Sequence, residues 1–341
     1  MNQNQHFVSK VLLKRFTVSG RLQCYNVQTD KWKPEPPKNV FSEFGYNQLV
    51  VSDQIDNTLE AAFSKVERPL PKTLKALDEA ANKPLSALSP AAYENMCWYC
   101  AFLNRISPFA KAAAPFDFLK QIELELQNGK SDTLRDVLNW PEERIETFRK
   151  EHSLGRRIII DSKDFLQLVY RIQFRLQCRD DYMMFRHFTD WTVCNSPFEL
   201  PLSDIALVPL VGAEFIYYTL PIGPEILLKG KIKRGQSQSS SQLNIKGENL
   251  ATDEAEYWLD TICLSAVTEM VCAHKIPDVP MICERAKKKG ISFAKIVDPD
   301  AMISSGLKNF KSNFGLRLVS VEDYAKFVHS FILPSGAPPS M

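Results

Sequence analysis

Two cysteines within one apolar segment have the spacing of a metal-binding pair. Cys97 and Cys100 are separated by two residues, as in zinc knuckles. A structural zinc site needs four ligands, and the chain has neither a second such pair nor a histidine close to this one. Buried cysteines usually act as small hydrophobic side chains. We therefore predict reduced core cysteines, no metal site and no cofactor.

Two basic segments could contact phosphate groups. One contains Lys231, Lys233 and Arg234 and leads into a polar stretch, and the other is Lys287–Lys289. Lysine and arginine neutralise nucleic-acid phosphates, so the first three residues are candidate binding residues. Solvated loop charge is the favoured interpretation. No aromatic residues alternate with these lysines along the sequence, so base stacking is not predicted.

The whole-chain composition excludes several classes of protein. The 341 residues are 45% hydrophobic and 24% charged, with a net charge of +2, which is typical of a folded globule and gives no support for a strongly basic nucleic-acid binder. No Gly-rich phosphate loop, GxSxG or HExxH motif occurs. No apolar run is long enough to span a membrane, and the first residues do not resemble a signal peptide. We expect a cytoplasmic protein without a membrane partner.

Apolar spacing predicts mostly helices in the first half of the chain. A short helix is expected near Phe7–Phe16, followed by a β-hairpin from Leu22 to Trp32. Ser89-Pro90 is a start signal for a helix that is apolar almost all round and should therefore be central. Further helices are predicted over 53–77, 116–128, from 131, from 141 and over 161–177.

The pattern changes after Asp180. Short runs of apolar residues predict strands over 183–188, 191–194, 205–208 and 215–218. The Ser- and Gln-rich interval 230–248 is predicted to be a mobile loop. Thr252 should cap a long helix, and the tail after Lys275 should be irregular.

These patterns predict an α+β protein. We expect a predominantly helical bundle with a small N-terminal β-hairpin and a short antiparallel sheet. Residues 1–341 should form one integrated unit, with a possible subdivision into 1–180 and 181–341.

The N-terminal residues contain two short phrases of a known family. His6-Phe7-Val8-Ser9 is close to a His-aromatic-Val-Pro opening, and Leu13-Lys14-Arg15-Phe16 is a Leu-x-x-Phe phrase that precedes the predicted hairpin. A helix with an internal glutamate follows in that family, and Phe63–Glu67 matches it. The order of these features resembles the bacterial domain of unknown function 4238.

The resemblance extends over about residues 5–275, mainly as spacing. Arg105-Ile106-Ser107-Pro108 loosely matches an Arg-x-Pro phrase, and Asn195-Ser196-Pro197 matches a Ser/Thr-Asp-Asn-Pro phrase. An apolar-Pro-Leu strand could be either Val208–Leu210 or Thr219–Pro221. Ser9 replaces a proline of the family, and Asn195 replaces an aspartate. The family has no assigned activity, so the resemblance implies an architecture more than a function.

The polar residues at the matching positions form a plausible chemical set. His6 could transfer a proton near neutral pH, and Glu67 could orient the imidazole or act as a base. Arg105 could hold a phosphate or carboxylate, and Asn195 could orient a substrate. Glu67 and Arg105 lie at the flanks of apolar helix faces, so an ion pair between them is also expected.

Two functions follow from these residues. The first is a hydrolase-like effector that acts on nucleic acid or a nucleotide through His6, Glu67 and Arg105, in an accessory or defence role suggested only by association. The alternative is a non-enzymatic binding or interaction protein in which the same polar residues have structural roles. An open cleft around them would favour the first, and a closed ion-pair network the second.

Overall fold

The computed structural model describes residues 4–44, 49–51, 54–56, 58–106, 125, 128–132, 135, 141–153, 178–211, 214–233 and 243–291. The chain divides into two compact units. The first contains Met1–Gln48, Asn57–Ser107 and Cys178–Ala294, and the second contains Leu49–Asp56, Pro108–Gln177 and Lys295–Met341. The expected single integrated unit and its subdivision at residue 180 stay predictions.

The described strands and helices are as follows. The strands in chain order are β1 (Asn4–His6), β2 (Leu22–Asn26), β3 (Lys31–Glu35), β4 (Ser42–Phe44), β5 (Leu49–Val51), β6 (Gln54–Asp56), β7 (Ser86–Ala87), β8 (Asp190–Asn195), β9 (Leu202–Ser203), β10 (Val208–Val211), β11 (Phe215–Gly223), β12 (Ile226–Lys233), β13 (Asn244–Asn249) and β14 (Glu269–Cys272). The helices are α1 (Lys10–Leu13), α2 (Thr58–Glu67), α3 (Leu70–Ala81), α4 (Pro90–Ile106), α5 (Glu142–Ser153), α6 (178–187), α7 (Thr252–Ser265) and α8 (Val279–Lys288).

A six-stranded sheet of order β10-β11-β12-β8-β13-β7 dominates the first unit. Its pairs are antiparallel except for β13, which runs parallel to β8. One face packs on α7 through a cluster that includes Leu227, Trp258 and Ile262. Gly247 in β13 has no room for a side chain, since a Cβ there would lie 2.3 Å from the carbonyl oxygens of Ala80 and Lys83 at the end of α3.

A second sheet has the order β3-β2-β14-β9 and is antiparallel throughout. Tyr25, Met270 and Cys272 on this sheet pack in one cluster with Ile282 of α8. The predicted hairpin of β2 and β3 is therefore confirmed, but it is the edge of a larger sheet. Strands β1 and β4 form a separate antiparallel pair, which carries the N-terminal residues.

The predicted fold class is wrong in its proportions. The protein is α+β, but sheets of six and four strands replace the predominantly helical bundle with a short antiparallel sheet. Strand pairing between distant segments explains the error. The edges of β13 are covered by β8 and β7, which lie about 50 and 160 residues earlier in the chain, and no local pattern indicates such partners.

The central helix was correctly predicted. Helix α4 begins at Pro90 and buries ten of its side chains, including Cys97 and Cys100, which are both fully buried. Helix α5 begins directly after Pro141, as expected. The helix predicted near Thr252 is confirmed as α7, but Thr252 is its first residue and Ala251 is its N-cap. The helices predicted over 116–128 and 161–177 fall on residues that lie almost entirely outside those described.

Five local predictions were wrong. Residues 183–188 belong to α6 and its end rather than to a strand, because Cys178, Asp181, Tyr182 and Phe185 are buried at helical spacing. The helix expected from residue 53 begins at 58, after strand β6. The stretch after Ile205 turns sharply at Ala206, which has a φ of 56°, and β10 begins only at Val208.

The remaining errors concern the intervals 230–248 and 275–291. Strand β12 extends to Lys233 and β13 begins at Asn244, so both ends of the predicted loop are strand, and 234–242 lie outside the described residues. The tail expected to be irregular contains α8, capped by Asp278. Its last turn is rich in lysine, which obscures a short apolar face.

Candidate functional site

His6 lies at the end of β1 and is buried, with 7% of its surface exposed. Its Nδ1 lies 3.0 Å from the carbonyl oxygen of Val40. A carbonyl oxygen only accepts hydrogen bonds, so Nδ1 carries the proton and donates it to Val40, and Nε2 of the neutral ring keeps a free lone pair. Within the described part of the chain, no hydrogen-bond partner lies against the buried Nε2.

The imidazole of His6 is held neutral at physiological pH. Burial and, to a smaller extent, the nearby Lys10 cation lower its pKa from 6.5 to about 4, although the bond to Val40 opposes both effects. Nε2 is therefore available as a hydrogen-bond acceptor or as a proton acceptor.

Ser9 is the N-cap of the first helix and lies three residues after His6 in the chain. Its hydroxyl oxygen accepts a hydrogen bond of 3.2 Å from the amide of Val11 and caps α1. The φ of Ser9 is −54°, close to the angle that proline requires, so the backbone here would accommodate a proline, while the serine side chain adds a hydroxyl.

Glu67 ends α2 beside Ser9. Burial raises the pKa of its carboxyl group and Glu60 raises the pKa further, whereas the Ser9 hydroxyl and Lys10 oppose the rise. A carboxyl group whose pKa moves towards neutrality can give and take protons, which is the usual requirement for a general acid or base.

Tyr99 of α4 completes the group. Its side chain is 2% exposed, burial raises its pKa, and Glu67 contributes to that rise while the backbone of Ser9 opposes it. The buried hydroxyl oxygen makes no well-formed hydrogen bond to any residue that the structure describes. We call His6, Ser9, Glu67 and Tyr99 the His6 centre. The exposed Lys10 lies beside it.

Arg105 is not part of this centre. Its Nε and Nη2 donate to both carboxylate oxygens of Asp181 at 2.5 and 2.7 Å, and Asn104 donates to the same carboxylate at 2.8 Å. The side chain of Asp181 is only 7% exposed. The expected Glu67–Arg105 ion pair is therefore wrong, because the fork of Arg105 is bound to α6 rather than to α2.

Asn195 is also engaged elsewhere. Its amide nitrogen donates to the carbonyl of Ala81, at the end of α3, and to Asn249 Oδ1, both at 3.1 Å. An aspartate at this position would have no hydrogen to donate to these oxygens. Asn195 therefore links β8 to α3 and β13, and this environment suits an amide rather than a carboxylate.

The candidate binding residues lie on the six-stranded sheet. Lys231 Nζ lies 3.8 Å from the centroid of the Phe215 ring, and Lys233 is exposed at the end of β12. Arg234 lies outside the described residues. Lys229, which was not a candidate, is bound by Glu248 and Glu254 at 2.6 and 2.9 Å.

Of the four residues proposed for chemistry, two have a charged neighbour in common. Lys10 acts electrostatically on both His6 and Glu67, while Arg105 and Asn195 make structural contacts. Tyr99 was missed, because on the sequence it is one of many aromatic residues in an apolar helix.

The described residues contain neither a metal-binding cluster nor a membrane-spanning helix. They contain no group of three or more His, Cys, Asp or Glu side chains that could hold a metal ion. The helices among them include none with the length and apolar character needed to cross a bilayer.

Comparison with known proteins identifies one family. The model of the family described as "Protein of unknown function (DUF4238)" matches residues 4–248, which includes every residue of the His6 centre. No curated protein and no solved structure matches the chain significantly.

Proposed function

We propose a function for this chain, which belongs to the DUF4238 family of proteins of unknown function. In this proposal, the His6 centre is the acid–base site of a hydrolase-like enzyme that acts on nucleic acid or a nucleotide. The observation that carries the proposal is the buried Nε2 of His6, which has no hydrogen-bond partner among the described residues. Buried polar atoms are nearly always paired, so an acceptor left open in the interior favours a ligand.

The atoms of the centre suit the hydrolysis of an ester. A water molecule bound to Nε2 of His6 would give up its proton to that nitrogen while its oxygen attacks the substrate. Glu67, in its protonated form, would give a proton to the leaving oxygen, and Nε2 would then return its proton to Glu67. The Tyr99 hydroxyl would donate to the negative charge that develops, and the exposed Lys10 would attract a phosphate.

The proposal is tested by activity assays on the full-length protein. A panel of nucleoside phosphates and single- and double-stranded oligonucleotides should contain a substrate that is hydrolysed. His6→Gln and Glu67→Gln should each lower the rate at least about 100-fold while the melting temperature stays nearly constant, because amides cannot exchange protons. Lys31→Gln, on the edge strand β3, is the matched control. Hydrolysis at the wild-type rate by both glutamine variants would contradict the proposal.

A second function is favoured by Arg105 and Asn195. The closed contacts of these residues with Asp181, Ala81 and Asn249 are those expected of a non-enzymatic binding or interaction protein. In that case the wild type should hydrolyse no member of the panel, and His6→Gln should keep both its stability and the cellular effect of the wild type.

A further inference from the structure

We infer that one face of the six-stranded sheet binds single-stranded nucleic acid through Phe215, Tyr217, Lys231 and Lys233. We call these four residues the aromatic–lysine face. This inference deepens the proposed function, on which it rests for its biological role, because it names the substrate class. Binding is measured without turnover, so it can fail or succeed separately from hydrolysis.

Strand pairing brings the aromatic residues to the lysines. In the antiparallel register of β11 and β12, Phe215 lies opposite Lys233 and Tyr217 lies opposite Lys231. Residues directly opposite each other project from the same face of a sheet. The alternation of aromatic and basic side chains that the linear sequence lacks is therefore produced by two strands lying side by side.

The ring positions suit stacking of bases beside a charged backbone. The two ring centroids are 6.2 Å apart, and Lys231 Nζ lies 3.8 Å from the Phe215 centroid and 5.8 Å from the Tyr217 centroid. Both rings are partly exposed. An aromatic ring with a solvent-accessible surface can stack on any base, and the nitrogen of Lys231, which lies over the Phe215 ring, can neutralise an adjoining phosphate.

Along β12, the same face changes from buried or neutralised side chains to lysines without a salt bridge among the described residues. Leu227 is buried under Trp258 of α7, and Lys229 is neutralised by Glu248 and Glu254. Lys231 and Lys233, further along the strand, form no salt bridge with any residue in the described ranges. Asp190 of β8 lies opposite Lys231 and reduces the local positive charge.

This charge balance favours stacking over attraction by charge. Two lysines would neutralise about two phosphates, which corresponds to a slope of about −1.4 in log K against log salt for a single strand. A duplex offers no exposed base faces, so it should bind more weakly than a single strand. The proposed partner is therefore single-stranded, and its sequence should matter little.

The test is fluorescence anisotropy with labelled oligothymidine and oligouridine of about 20 nucleotides, added to the full-length protein. The wild type should bind at least one of them, and the labelled strand is checked for integrity afterwards. Phe215→Leu with Tyr217→Leu keeps apolar packing but removes the rings, and should weaken binding at least about tenfold. Lys231→Gln with Lys233→Gln should reduce the salt slope to near zero.

Matched variants separate stacking from loss of fold. Phe215→Tyr keeps a ring and should bind like the wild type, and Lys31→Gln removes a lysine from the other sheet and should also leave binding unchanged. All variants are compared by melting temperature. No binding by the wild type at about 100 μM, equal binding of a duplex, or unchanged binding by the double leucine variant would each overturn the inference. Binding that persists in His6→Gln supports a separate surface even where hydrolysis is absent.

Discussion

The state of a single imidazole controls what the N-terminal residues can do. His6 donates from Nδ1 to Val40, and burial keeps its ring neutral with a pKa of about 4. A neutral ring with an open Nε2 can accept a proton, whereas a charged ring in this place would have no anion in direct contact among the described residues.

Stability should depend on pH through His6. The pKa of its ring is about 4 in the folded chain, against 6.5 for a free histidine side chain, so only the unfolded chain takes up this proton as pH falls from about 6.5 to 4. His6 should therefore lower the free energy of unfolding progressively across this window and have no such effect above it. Urea unfolding of the wild type and of His6→Gln at several pH values isolates this contribution, because every other group is common to both. Parallel pH curves for the two proteins would contradict it.

At the scale of elements, the helices and sheets are joined by polar contacts that only partners distant in sequence can make. Asp181 of α6 accepts two hydrogen bonds from the guanidinium group of Arg105 on α4. Asp204 accepts hydrogen bonds from three backbone amides just before and within β14, those of Val267, Thr268 and Glu269. Such contacts orient the elements, because a buried carboxylate is stable only where several donors meet it.

Removal of Arg105 should therefore be costly. Arg105→Ala leaves the buried Asp181 carboxylate with Asn104 as its remaining donor of the three described, and we expect a loss of about 3 kcal/mol in the free energy of unfolding. The combined change Arg105→Met with Asp181→Leu should lose less, since it removes both charges. Lys287→Ala breaks an exposed pair with Glu284 and should cost less than about 0.5 kcal/mol. Denaturant unfolding measures all three, and equal losses in Arg105→Ala and Lys287→Ala would refute a structural role.

Across the whole molecule, cysteine accessibility reports how the chain is packed. All eight cysteines are free, and seven are buried, while Cys283 on α8 is intermediate. Burial raises the pKa of Cys283 as well, but to a smaller extent than for the fully enclosed Cys100. Thiolates react and thiols do not, so accessibility and pKa act in the same direction here.

Thiol labelling of the native protein should therefore modify Cys283 first, and the other seven cysteines only after denaturation. Cys283→Ser should remove the early reaction without a large change in melting temperature. Rapid native labelling of Cys97 or Cys100, or stoichiometric zinc in the purified protein, would refute their assignment to the core of α4.

The sequence by itself predicted the elements whose signals are local. The hairpin of β2 and β3, the apolar helix α4, the start of α5 after Pro141 and strand β8 all followed from spacing, proline positions and turn residues. It also singled out His6 and Glu67, through their places in short phrases.

Tertiary structure was needed where a residue's role depends on a partner far along the chain. Only the tertiary structure shows that Arg105 binds Asp181 and that Tyr99 lies near Glu67. It also shows that Phe215 and Tyr217 lie opposite the lysines of β12. Local patterns report burial and backbone preference, whereas pairing between distant strands and helices depends on the packing of the whole chain.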